Sequence, residues 1–138
     1  MSTTRPLEIL FVDDERHAMA PTILALEADG HRVTVARDGT EALEAMRQMG
    51  TSQPDLIILD IMMPEGTEIH TDDEGRSTGV ELYRKLRAEM NIDTPIVVLT
   101  VVTDPAILRH LSTDRRVRIV NKPFRFEELL RSIERIVR

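Results

Sequence analysis

Apolar runs alternate with amphipathic stretches along the chain. The run at 7–12 (LEILFV) predicts a strand, and Glu15–Asp29 predicts a helix with Gly30 as its stop signal. Pro21 falls inside that helix, where it lacks an N–H and crowds the preceding turn, so the helix is expected to bend there or to begin late. The alternation of HRVTVA at 31–36 predicts a second strand. Asp38 followed three residues later by Glu41 resembles a capping box, opening a helix that runs to about Met49 and ends at Gly50. DLIIL at 55–59 reads as a buried strand. Val80, Leu82, Tyr83, Leu86 and Met90 then recur at helical spacing within Gly79–Asn91. PIVVLT at 95–100 is a second buried-type strand. Asp104-Pro105 supplies an N-cap and a first-turn proline for the next helix. Val117–Val120 gives the fifth strand and Phe126–Val137 the last helix.

Five strands alternating with helices predict an α/β fold: a doubly wound parallel sheet with helices on both faces. The chain reads as a single domain over 1–138, without repeats or a linker. One segment breaks the rhythm. Between Asp60 and Gly79 lie eighteen residues, including PEGTEIHTDDEGRST, so an extended loop at about 61–78 is expected, and its part at 65–78 is expected to be mobile and dispensable for folding.

Composition narrows the function classes. With 138 residues and 41% hydrophobic content, the chain can bury one sizeable core. The absence of cysteine excludes disulfides and thiolate metal sites. No apolar run is long enough for a membrane span and none has the form of a signal peptide, so a cytoplasmic protein with no membrane partner is expected. The net charge of −6 and 3% aromatic content argue against a nucleic-acid partner. The charge is uneven. Residues 1–99 hold 9 Lys/Arg against 19 Asp/Glu, and residues 100–138 hold 9 against 5, so the C-terminal third offers a basic docking face.

The candidate chemistry lies at the strand ends. Open parallel sheets bind ligands beyond the carboxyl ends of their strands. Here those ends carry Asp13 and Asp14, then Asp60, Thr100 and Lys122. Three crowded carboxylates call for a cation, and a hard ion such as Mg²⁺ suits oxygen donors that leave room for water and phosphate. A carboxylate can act as a nucleophile toward phosphorus, a lysine can pair with a phosphoryl oxygen, and a threonine hydroxyl can donate to another. Taken singly, an Asp at a strand end is more often a cap or turn former, and Asp14 alone would be read so. His70 with Asp72 and Asp73 offers a second set of metal donors, but a solvated loop accounts for those three residues more simply.

Four segments in order, FVDDE (11–15), DLIILDIMMP (55–64), PIVVLT (95–100) and NKPF (121–124), resemble a response-regulator receiver domain over essentially the whole chain. The resemblance implies a flavodoxin-like strand order 2-1-3-4-5, which is also the order given for this fold in general. It implies that Asp60 is the phosphoacceptor and that Asp13, Asp14, Asp60 and the backbone carbonyl of Met62 hold Mg²⁺. It further implies that Thr100 contacts the phosphoryl group, that Lys122 pairs with it, and that the Lys122–Pro123 peptide is cis. The implied donor is a sensor histidine kinase or a histidine phosphotransfer protein. The implied output is an unidentified protein partner, met by the fourth helix, fifth strand and fifth helix, where Arg109, Arg115, Arg116, Arg118 and Arg131 supply the basic excess. Such a domain is not an enzyme beyond autophosphorylation from small donors and autodephosphorylation.

Three features depart from the family pattern. Gly79 follows Asp60 by 19 residues, an acidic insertion beside the site. Val101 and Val102 follow the threonine where a small residue is usual, and Ile119 stands where the family carries an aromatic switch residue. Two other readings compete. A receiver-like scaffold without phosphorylation would have no need of the intact Asp13, Asp14, Asp60, Thr100 and Lys122. A phosphatase of the haloacid-dehalogenase type places a second Asp two residues after its nucleophile, and here that residue is Met62.

Overall fold

The computed structural model describes residues 5–61, 78–101 and 104–137. Its strands are β1 (Glu8–Val12), β2 (Arg32–Ala36), β3 (Leu56–Asp60), β4 (Ile96–Thr100) and β5 (Val117–Asn121). Its helices are α1 (Arg16–Ala28), α2 (Gly39–Met49), α3 (Thr78–Arg84), α4 (Pro105–Ser112) and α5 (Phe126–Ile136). All strand pairs are parallel, in the order β2-β1-β3-β4-β5, as the sequence and the resemblance imply.

Alternate residues of each strand enter different cores, because successive side chains point to opposite faces. Leu10, Val12, Ile57, Leu59, Ile96 and Val98 pack with residues of α2, α3 and α4. Ile9, Phe11, Leu56, Ile58, Val97 and Leu99 pack with Leu26 of α1 and with Leu129 and Ile133 of α5. Residues of β3 and β4 are therefore buried throughout, which is why they read as unbroken apolar runs. The edge strands β2 and β5 keep exposed positions.

Local chemistry sets the boundaries. Asp38 caps α2 by accepting the Glu41 N–H at 2.8 Å. The return arm of the expected box reaches one residue further, since the Glu41 carboxylate accepts the Arg37 N–H at 3.2 Å. Gly50 closes α2 with a φ of 55°. Asp104 caps α4 through the Ala106 N–H at 2.9 Å, with Pro105 in the first turn.

Several boundaries differ from the sequence expectation by a residue or more, and three of them show their cause. Helix α1 begins at Arg16, so it does not start late and Pro21 lies in its interior, at an exposed position. Strand β3 begins one residue late, because the Asp55 side chain accepts the Glu8 N–H at 2.9 Å and holds Asp55 in the entry turn. The helix expected over Gly79–Asn91 is α-helical only to Arg84. Lys85–Glu89 form a π-helical turn, in which the Met90 N–H donates to Lys85 O five residues back, and Asn91 leaves it with a φ of 54°.

A buried histidine fastens the sheet at the end remote from the strand-end carboxylates. His31 Nδ1 accepts the Leu7 N–H at 3.0 Å, while the Arg32 N–H donates to Leu7 O at 2.9 Å. Its Nε2 faces Asp29 Oδ2 at 3.7 Å.

Candidate functional site

Strands β1, β3, β4 and β5 end side by side and deliver the candidate residues to one edge. Val12 pairs with Leu59, so Asp13 emerges beside Asp60. Asp60 pairs with Leu99, and Thr100 with Asn121, so Thr100 and Lys122 follow on the adjoining strands. The Lys122 N–H donates to Thr100 O at 2.9 Å, extending the β4–β5 ladder to the lysine itself. The Lys122–Pro123 peptide is cis, as the resemblance implies.

Carboxylate oxygens of Asp13, Asp14 and Asp60 lie within 4.8 Å of one another. Asp13 and Asp60 are buried, and Asp14 is exposed at the rim. Lys122 sits between the two buried carboxylates, with Nζ 3.2 Å from Asp13 Oδ2 and 3.3 Å from Asp60 Oδ2. The second Asp13 oxygen accepts the Glu15 N–H at 2.8 Å, which orients the carboxylate as the chain turns into α1. Thr100 is fully buried.

The electrostatics follow from this crowding. Partial burial, then the charge of Asp13, pushes the Asp14 carboxyl above its ordinary value. Burial works to lower the Lys122 ammonium, but the carboxylates of Asp60 and Asp13 outweigh it and hold the lysine above its ordinary value. Lys122 therefore stays charged at neutral pH and neutralises only part of the acidic cluster. Three oxygen donors of this hardness and spacing fit a small divalent cation.

Sequence reasoning placed Asp13, Asp14, Asp60, Thr100 and Lys122 at one sheet edge, and the structure brings them there. Met62, the loop from 62 to 77 with His70, Asp72 and Asp73, and Val102 lie outside the described residues. Val101 is 58% exposed at the end of β4. Ile119 is half-buried against the apolar core on its face of the sheet.

The sequence reading missed the part played by Gly79. Its N–H donates to Ile61 O at 2.9 Å, and a Cβ at this position would lie 2.5 Å from both Asp60 O and Ile61 Cα. Its spacing from Asp60 was visible in the sequence, but the backbone contact was not.

Comparison with known proteins agrees with this geometry. The family profile described as response regulator receiver domain matches residues 9–134. The chain belongs to the response regulator receiver domain family. Among relatives of this receiver, response regulator MprA of Mycobacterium sp. strain KMS is 34% identical over 134 residues, covering 96% of this chain and 51% of the relative. Response regulator MprA of Mycobacterium leprae is 35% identical over 133 residues, with 96% and 51% covered. The receiver thus spans about half the length of these relatives. Among solved structures, chemotaxis protein CheY4 of Vibrio cholerae superimposes with a TM-score of 0.75 at 28% identity, over 96% of this chain and 99% of that one. The receiver domain of the Francisella response regulator 1452 gives 0.71 at 26%, over 95% and 96%. No helix among the described residues of the receiver is long and apolar enough to cross a membrane.

Proposed function

We propose that this receiver is a cytoplasmic phosphoacceptor that takes a phosphoryl group from phosphohistidine onto Asp60 and thereby switches the binding of a protein partner. The donor is a sensor histidine kinase or a histidine phosphotransfer protein. The observation that carries the reading is the contact of one lysine with two buried carboxylates, Asp13 and Asp60, beside a third, Asp14.

In the proposed reaction an Asp60 carboxylate oxygen attacks phosphorus, the O–P bond forms, and the P–N bond to the donor imidazole breaks. Lys122 is already within reach of Asp60 and moves its charge from that carboxylate to a phosphoryl oxygen. Thr100, at the end of the neighbouring strand, donates its hydroxyl to another. Asp13, Asp14, Asp60 and the carbonyl of Met62 are the groups that would hold Mg²⁺, which when bound supplies charge neutralisation for the transferred group. Asp13 is oriented for this by the Glu15 N–H. The receiver has no catalytic task in this scheme beyond accepting phosphoryl groups from small donors and losing them to water.

The test is intact mass after incubation with Mg²⁺ and acetyl phosphate. Wild type is expected to gain one phosphoryl group, lost on chelation of Mg²⁺ before the reaction, and Asp60→Asn to gain none. Equal yield in the Asn variant would remove Asp60 from the role.

A further inference from the structure

Helix α1 ends in a two-bond cap that fixes the backbone of His31. The Gly30 N–H donates to Glu27 O at 3.0 Å and the His31 N–H to Leu26 O at 3.2 Å, with Gly30 at a φ of 99°. The His31 side chain, in a residue only 4% exposed, reaches from that cap to the entry of β1. Because Nδ1 accepts the Leu7 N–H at 3.0 Å, it carries a lone pair, and the neutral ring holds its proton on Nε2. Nε2 and the facing Asp29 Oδ2 are 3.7 Å apart. Both atoms are buried, and neither has a hydrogen-bond partner among the described residues. One imidazole therefore ties the end of α1 to β1 with one nitrogen and looks onto a carboxylate with the other.

The two nitrogens pull in opposite directions. A second proton can enter the ring only at Nδ1, where it would set one N–H against another, that of Leu7. The same proton gives Asp29 a cation to pair with, and an opposite charge this close favours the charged ring. Among the described residues no other charged side chain lies within ion-pair distance of the ring. Glu8 of β1 is paired with Arg32 of β2 at 3.1 Å, and Arg5 with Asp55 at 3.3 Å. Glu27 is exposed on α1. The end of α5 adds the apolar Ile136 and Val137 to the core that holds Leu7 and Leu26, with Glu134 and Arg135 beyond ion-pair reach of the ring.

We propose that His31 is a proton-operated latch: the neutral ring fastens the entry of β1 to the end of α1, and protonation frees Leu7 and seats the ring against Asp29. The latch is independent of the reaction at Asp60. Histidine suits the task, since it is the side chain that ordinarily changes charge between about pH 5 and 8. Release is partial, because the Arg32 N–H still donates to Leu7 O at 2.9 Å and the Glu8 N–H to Asp55 at 2.9 Å. What loosens is the chain ahead of β1, from Arg5 to Leu7, and the turn from Asp29 to His31, while the strands stay paired.

The experiment is an NMR titration of the full chain from roughly pH 8 to pH 5. It reads the imidazole nitrogens of His31 and the exchange protection of the backbone amides, corrected for the intrinsic effect of pH. At the alkaline end the Nε2–H tautomer is expected; an Nδ1–H tautomer overturns the proposal, as does a ring that stays neutral over the whole range. As the ring takes up its proton, protection of the Leu7 amide is expected to fall about tenfold, as loss of one hydrogen bond implies, while Ile57 and Val97 in the central strands keep theirs. Leu7 protection that ignores the His31 titration, or an equal loss in every strand, overturns the latch. In Asp29→Asn the release of Leu7 is expected at lower pH, because the imidazolium has lost its partner; release at the wild-type pH contradicts the proposed seat. His31→Asn is expected to show no step in Leu7 protection over this range, and a step that persists there overturns the assignment to His31.

Discussion

Replacing Gly79 with Ala is expected to impair the site more than the fold. The added Cβ would sit 2.5 Å from Asp60 O and from Ile61 Cα, about 1 Å inside ordinary van der Waals contact. Both obstacles are backbone at the end of the central strand β3, so no side chain can rotate away. Helix propensity favours Ala over Gly by about 0.5–1 kcal/mol. Overpacking costs roughly 1–3 kcal/mol, so the net loss lies between about 0 and 2.5 kcal/mol. The same displacement of about 1 Å moves Asp60 relative to Lys122, now 3.3 Å away, and a misplacement of that size can slow a reaction about a hundredfold. Urea denaturation measures the first effect. The rate of mass gain from acetyl phosphate with saturating Mg²⁺ measures the second. An Ala variant with wild-type stability and a wild-type rate would refute the claim that Gly79 seats the Asp60 backbone.

Three further outcomes are expected. Asp14→Asn should be more stable than wild type at neutral pH, because the folded state raises this carboxyl above its usual 3.8 and so disfavours its charge. The gain should vanish as pH falls below that value, where both states are protonated, and Mg²⁺ titration should be weaker; a variant no more stable at pH 7 would contradict the assigned crowding. His31→Phe leaves the buried Leu7 N–H without its acceptor and is expected to lose about 1–3 kcal/mol in urea denaturation, an unchanged midpoint being the contrary result. Charge reversal at Arg115 and Arg118 should weaken binding of an acidic output partner and flatten its salt dependence; binding indifferent to both the reversals and the state of Asp60 would favour a constitutive scaffold.

Much of the fold was legible because its signals are local. The β3 and β4 runs are apolar throughout since both their faces are covered, and Asp38 and Asp104 announce helix starts through bonds two or three residues away. The candidate site was legible for a topological reason: parallel strands deliver whatever follows their last residue to one edge, so Asp13 and Lys122 could be placed without knowing their contacts. What escaped depends on distant partners. Nothing near Tyr83 in sequence marks it as a donor to Asp114, 31 residues on. The helical spacing of Leu86 and Met90 continues through the π turn, so periodicity read an uninterrupted α-helix there. His31 looked like the polar start of an alternating strand because its acceptor role toward Leu7 spans 24 residues.

The wide separation of the site residues along the chain bears on how the protein is made. Lys122 reaches Asp13 across 109 positions and Asp60 across 62. Contacts of such range form late, after the intervening loops have closed. During synthesis the acidic residues leave the ribosome long before the lysine that bridges them, so the charge-balanced centre assembles only once β5 is in place. A nascent or misfolded chain therefore lacks the assembled centre even when each strand is present. If Asp60 is the phosphoacceptor proposed above, its capacity to react would report on assembly of the whole sheet.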